Sequence, residues 1–244
     1  AQLALARAEA ALEIAEMRQR HFKDECAYEQ VLFERGKKGS WSDWQQVQHQ
    51  RQQAEIEVAL RTLDVQEIRL TAAEPSDALS APLVAGTDFV SRRLMLQSQE
   101  AQDLVALLTT NADRLTQLFE MGKGSGIEAR SAKAQIAAGQ AQQRSLKERI
   151  ALRKSFLAGE MSPEQVELKD RRSKVIATRE ATVPRLDVLK LQHEHAKVLH
   201  EKEVATSLEA DALEIEVRVA EIQLSLAKLE LEIIERELQT ASGG

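Results

Sequence analysis

The segment 208–238 carries two apolar seams at once. Leu208, Ala212, Ile215, Val219, Ile222, Leu226, Leu229 and Ile233 alternate at spacings of four and three, and so do Leu213, Val217, Ala220, Leu224, Ala227, Leu231, Ile234 and Leu238. That spacing marks one face of an α-helix. At about 100° per residue the two seams fall on nearly opposite sides of it. A two-stranded coiled coil needs only one seam. Two seams predict a helix wedged between two neighbours, as in the middle of a bundle, a sheet of helices or the wall of a helical barrel. The residues expected to pack laterally are Leu213, Val217, Leu224, Leu231, Ile234 and Leu238.

The rest of the chain has the same character. Residues 1–35 read as one helix whose seam runs through Leu5, Ala8, Leu12, Ala15, Phe22, Cys26 and Phe33. A helix over 43–72 places Trp44, Val47, Ala54, Val58, Val65 and Ile68 on one face, and another over 88–121 places Ala101, Leu104, Leu108, Leu115 and Leu118. Aromatic residues make up only 3% of the 244 positions, so thin layers of Leu, Ile, Val and Ala must hold the helices together. The single cysteine, Cys26, has no partner for an internal disulfide and reads as a small buried hydrophobe.

The helices are punctuated by related turns. "LFERGKKGS" at 32–40 and "LFEMGKGSG" at 118–126 each place a glycine where a helix should stop and a serine where the next should start. Ser42 with Gln45, and Ser125 with Glu128, have capping-box spacing. Gly159 followed by "SPEQ" at 162–165 makes a third stop and restart. Short connections of this kind return the chain antiparallel to itself. The expected fold is therefore all-α, built of long antiparallel helical hairpins. A first hairpin spans 1–72, a linker or loop 73–87, and a second hairpin 88–157. A third turn and a long C-terminal helix, kinked or broken near Pro184, span 158–240, and 241–244 form a disordered tail. One short strand is allowed for at 82–86, in "PLVAG".

Three stretches carry a resemblance: "YEQVLFERGKKGSWSDWQQVQHQRQQAEIEV", "LFEMGKGSGIEARSAKAQ" and "FLAGEMSPEQVELKDRRSK". They resemble the helical hairpins of outer-membrane efflux proteins of the TolC type, and those of the membrane-fusion adaptors that pair with such channels. Gly159, Met161, Ser162 and Glu164 match the turn most closely. The family's chains are also built from two structural repeats. The resemblance implies an assembly or docking module of the periplasm or cell envelope, with protein partners or self-association through helices. It covers the helical parts alone: the membrane strands of the channels and the β-domains of the adaptors have no counterpart here. Without it, the same pattern reads as a structural coiled-coil scaffold unrelated to export, and a cytoplasmic one is the alternative.

Contact residues on this reading lie at the hairpin tips: Gly36, Lys37, Lys38, Trp41 and Trp44 on the first, and Gly122, Lys123 and Ser125 on the second. Trp41 and Trp44 share a face, either as a docking patch or as the cap of the hairpin core. No enzyme is expected. The glycines near 122–126 lack phosphate-loop spacing, and no GxSxG occurs. His193, His195 and His200 lack the spacing of a zinc site, so no metal or other cofactor is expected. Basic and acidic residues number 33 and 39 and are interleaved, which is a solvated surface and not a nucleic-acid footprint. No apolar stretch is long enough to predict a transmembrane helix. No leader peptide is read at the start, and the ends read as processing boundaries.

Overall fold

Good helix formers dominate the chain, and in this computed structural model it folds into six helices among the described residues, 2–34, 41–202 and 207–242. The helices are α1 (Gln2–Glu34), α2 (Trp41–Thr71), α3 (Phe89–Glu120), α4 (Gly126–Leu157), α5 (Pro163–Glu201) and α6 (Ser207–Ser242). Those of 31 to 33 residues extend about 50 Å at 1.5 Å per residue. No strand occurs among the described residues, and the fold is all-α. The chain divides into two compact units, Ala1–Leu107 and Leu108–Gly244, with α3 running through the boundary.

In the first unit α1 and α2 pack along their length. The ion pairs Arg69–Glu9 (2.8 Å) and Arg18–Glu57 (3.5 Å) join opposite ends in turn, so the pair is antiparallel. Ala15, Cys26, Val47 and Ala54 are buried within this unit, and Cys26 is a free thiol. α2 opens at Trp41, ahead of the expected start, so Ser42 lies inside its first turn and is not the N-cap. The connection at 35–40 lies outside the described residues.

The segment expected as a linker is anchored instead. Leu79 is fully buried. The buried Arg93 guanidinium binds Glu67 Oε2 at 2.6 Å and Asp77 Oδ1 at 2.9 Å, and donates to the Ser76 carbonyl. Glu67 also accepts from the Ser76 N–H at 3.4 Å. This one arginine ties α2, the loop and α3 together. Around 82–86 there is no strand, only a single antiparallel bridge between Val84 and Thr87 across a tight turn at Ala85 and Gly86, both with positive φ.

In the second unit the glycine stops behave as their chemistry dictates. Gly122 and Gly159 have φ of +70° and +77°. The Lys123 N–H reaches back to the Leu118 carbonyl and the Gly122 N–H to Phe119, and Glu160 and Gly159 repeat this with Ser155 and Phe156. That is the Schellman arrangement, which satisfies the last carbonyls of a helix. Ser125 caps α4 by accepting from the Ile127 N–H at 3.2 Å. Glu128 sits in the first turn, where the helix dipole favours a negative charge. Ser162 and Gln165 form a complete capping box behind Pro163.

The long C-terminal helix differs from expectation. α5 passes through Pro184 without a break, losing only the one ladder bond that proline cannot donate. α5 ends at Glu201 and α6 begins at Ser207. α6 then runs antiparallel to α5: Arg171 pairs with Glu230 and Arg185 with Glu216, in reverse order. α4 lies antiparallel on α5 as well, through Arg149–Asp170 (2.6 Å) and Arg144–Glu180 (2.6 Å). The helix with neighbours on two sides is therefore α5, not the last one. α6 includes Ala241 and Ser242, so the tail expected at 241–244 begins no earlier than 243, outside the described residues.

Candidate interaction surface

The two seams of α6 have different fates. Val217 and Ala220, with Leu213 and Leu224 beside them, pack on Leu186 and Leu189 of α5. Ala227 and Ile234, with Leu231 and Leu238, pack on Val175. All six residues expected to pack laterally thus face α5 of the same chain. The opposite seam is open: Leu208, Ile215, Val219, Ile222, Leu226, Leu229 and Ile233 keep between 47% and 75% of their surface exposed. Single exposed leucines are ordinary, whereas a contiguous apolar stripe on one helix marks an interaction site. The stripe covers 26 residues, about 38 Å of helix.

Charge borders this stripe. α6 holds nine acidic and three basic side chains, a net −6, which equals the net charge of the whole chain. Arg171, Arg172, Arg185 and Lys190 of α5 pair with Glu216, Glu221, Glu230, Glu235 and Glu237. The hydrogen bond from Lys190 to Glu221, with Arg218 alongside, holds that carboxyl below the usual carboxylate range. Glu209, Asp211, Glu214 and Glu232 have no cation among the ion pairs of the described residues.

The expected tip residues are dispersed. Gly36, Lys37 and Lys38 lie outside the described residues, as does the side chain of Trp41. Trp44 is half-buried near the start of α2. At the second tip Gly122, Lys123 and Ser125 are exposed, beside Phe119 and Met121, which are themselves 51% and 59% exposed. Gly126 lets the chain turn closely past the Phe119 ring: a Cβ there would stand 3.0 Å from Phe119 Cε2. A cleft of about 500 Å³ lies behind this turn, lined by Phe119, Ile127, Arg130, Lys133, Leu191 and His195. His193 is buried in α5 while His195 and His200 are exposed, so the three do not converge. Among the described residues no three potential metal-binding side chains gather, and no helix is long and apolar enough to cross a membrane.

Several polar features lie where local sequence gave no signal. The first unit holds an open groove of about 1050 Å³, bordered by Arg18, His21, Glu57, Arg61, Asp64 and Glu100 among others. Burial raises the Asp64 carboxyl, with Arg93 and Arg61 opposing. Burial and the nearby Glu57 raise Glu100. Burial lowers His49, against a smaller opposing pull from Asp103. Between α4 and α5, Arg153 is fully buried, and Ser145 and Ser173 share a hydrogen bond of 3.0 Å. These groups are spread over dozens of residues and meet only in three dimensions.

No family model, curated protein or solved structure matches the chain.

Proposed function

We propose that this chain is a non-enzymatic helical assembly module that docks side by side on another helix. It resembles in this the periplasmic hairpins of outer-membrane efflux or secretion channels and their adaptors. The observation that carries the docking role is the open seam of α6. Burying a row of half-exposed Leu, Ile and Val on a partner gains about 25 cal/mol for each Å² removed from water, and leaving it in water gains nothing. The link to export rests on the turn motifs at 118–126 and 156–165, and a periplasmic or envelope location is part of that reading.

A coiled-coil scaffold outside any export system is the second reading. The α6 seam favours it equally, because the seam argues for a helical partner and not for a compartment. The docking role is tested by light scattering and crosslinking of the chain and of an Ile222→Glu/Leu226→Glu variant, alone and in extract from its own cells. A complex found with the native chain and missing with the variant supports the role. Identical behaviour of the two, with neither forming a complex, refutes it. Fractionation of the native cells then separates the envelope reading from the cytoplasmic one.

A further inference from the structure

The open α6 seam is flanked on both sides by residues that select what can lie on it. In heptad terms Ile215, Ile222 and Leu229 alternate with Val219, Leu226 and Ile233 as the contact positions. The positions that would touch a partner's flanks then include Asp211, Glu216, Glu230, Glu232 and Glu237, with Arg218 the one basic member. In a parallel pair of α6 helices, Asp211 of one copy falls beside Glu216 of the other, and Glu232 beside Glu237. In an antiparallel pair Asp211 meets Glu232. Either arrangement sets acid against acid, which opposes pairing.

Neither α1 nor α4 supplies the missing complement. α1 exposes Leu3, Ile14, Met17 and Val31 but carries seven acidic against four basic residues. α4 is the strongly basic helix, seven against two, yet its one exposed large apolar side chain is Leu157 at its end. Neither of these two helices combines an apolar seam with a basic border. The open seam leaves seven large aliphatic side chains about half exposed or more along one face, the kind of surface that the core of a stable complex covers.

Resting on the reading that this seam is a docking face, we infer that its occupant is an amphipathic helix of a different protein, about four heptads long, whose own Leu/Ile seam is bordered by Lys and Arg. Such a helix satisfies Glu209, Asp211 and Glu232 while covering the apolar stripe. It is the helix-in-groove mode of recognition with charge as the selector.

The probes are two synthetic 28-residue helices with Leu and Ile at the contact positions, one with Lys and one with Glu on the flanks. Binding to the full chain is read by fluorescence anisotropy, with sedimentation reporting self-association. At low salt the Lys-flanked helix binds about tenfold tighter or more, and the gap closes near 1 M salt, where the Debye length is about 3 Å. Glu209→Lys/Asp211→Lys/Glu232→Lys reverses the preference, and Ile222→Glu/Leu226→Glu abolishes binding with helix content unchanged. Equal binding of the two probes overturns the inference. So does a homodimer dissolved by the seam variant, although that result leaves the docking role standing. Failure of both probes, with a monomer indifferent to the seam variant, overturns the inference and the docking role together.

Discussion

Ile233 and Ile234 are neighbours in sequence and identical in chemistry, yet the structure assigns them opposite fates. Ile234 is fully buried against α5, and Ile233 is 49% exposed on the open seam. Replacing Ile234 with Ala removes about three methylene equivalents at ~0.8 kcal/mol each and leaves a cavity, so the loss should reach about 3–4 kcal/mol. Replacing Ile233 removes groups already half in water and leaves no cavity. Its loss should be about 1 kcal/mol, less the few tenths that alanine returns in helix propensity. Urea unfolding of the two variants, at a protein concentration low enough to hold the chain monomeric, measures the ratio directly. A ratio near four supports the assigned faces. Equal large losses would mean that both seams are covered, and the open face of α6 would have to be abandoned. Equal small losses would mean that the α5–α6 packing is wrong.

The glycine stops, the buried arginine and the buried histidine each give a separate check. Gly122→Ala should cost about 1 kcal/mol although no atom lies within 4 Å of the added Cβ, because the penalty comes from φ of +70° alone; Gly122→Asn should cost less, and thermal melts in which Ala and Asn are equivalent would refute this. Arg93→Met leaves the Glu67 carboxylate buried without its cation, so the loss should be about 3–5 kcal/mol, with partial recovery in the Arg93→Met/Glu67→Gln double variant by denaturant titration. His49 has a folded pKa below its ordinary 6.5, so the unfolded chain binds the extra proton first. Its contribution to stability is present above pH 6.5 and is lost as the pH falls through 6.5 toward the folded value. Asp64 and Glu100, both raised, act the other way at lower pH, since their protonation favours the folded state. Melting temperatures between pH 7.5 and 5.5 should therefore fall more for the native chain than for His49→Gln.

What was legible in the sequence was what is local. A glycine with positive φ, a serine that caps the next helix and a proline at the first helical position act within one turn, and Gly122, Gly159, Ser125, Ser162 and Pro163 all do so. Pro184 allowed either a kink or a break on local grounds; the missing N–H costs one hydrogen bond, and α5 packs against α4 and α6 along its length, so the helix stays continuous. The stop after Glu201 carries neither glycine nor proline, so nothing local marked it. Periodicity showed both seams of α6 but not which one would be filled, because spacing fixes a face and says nothing of what lies against it. The Arg93 cluster draws on positions 64, 67, 76, 77 and 93, and no window of sequence contains its logic.

The two interfaces of α5 are built on different principles, and the difference bears on the open seam. Against α4 the interior is polar in part: Arg149–Asp170 and Ser145–Ser173 fix one register, and a one-turn slip would leave the nearly buried Asp170 with only Lys174 of its own helix. Against α6 the interior is uniformly aliphatic, and register is set at the edges by Arg171, Arg185 and Lys190 on Glu230, Glu216 and Glu221. Aliphatic seams alone tolerate slippage and non-specific pairing, so the edge charges supply the selection. On the proposed reading the acid of α6 then acts twice. Its carboxylates turned toward α5 align the hairpin. Those left over guard the outer seam, repelling a second copy of the same helix and admitting one of opposite charge.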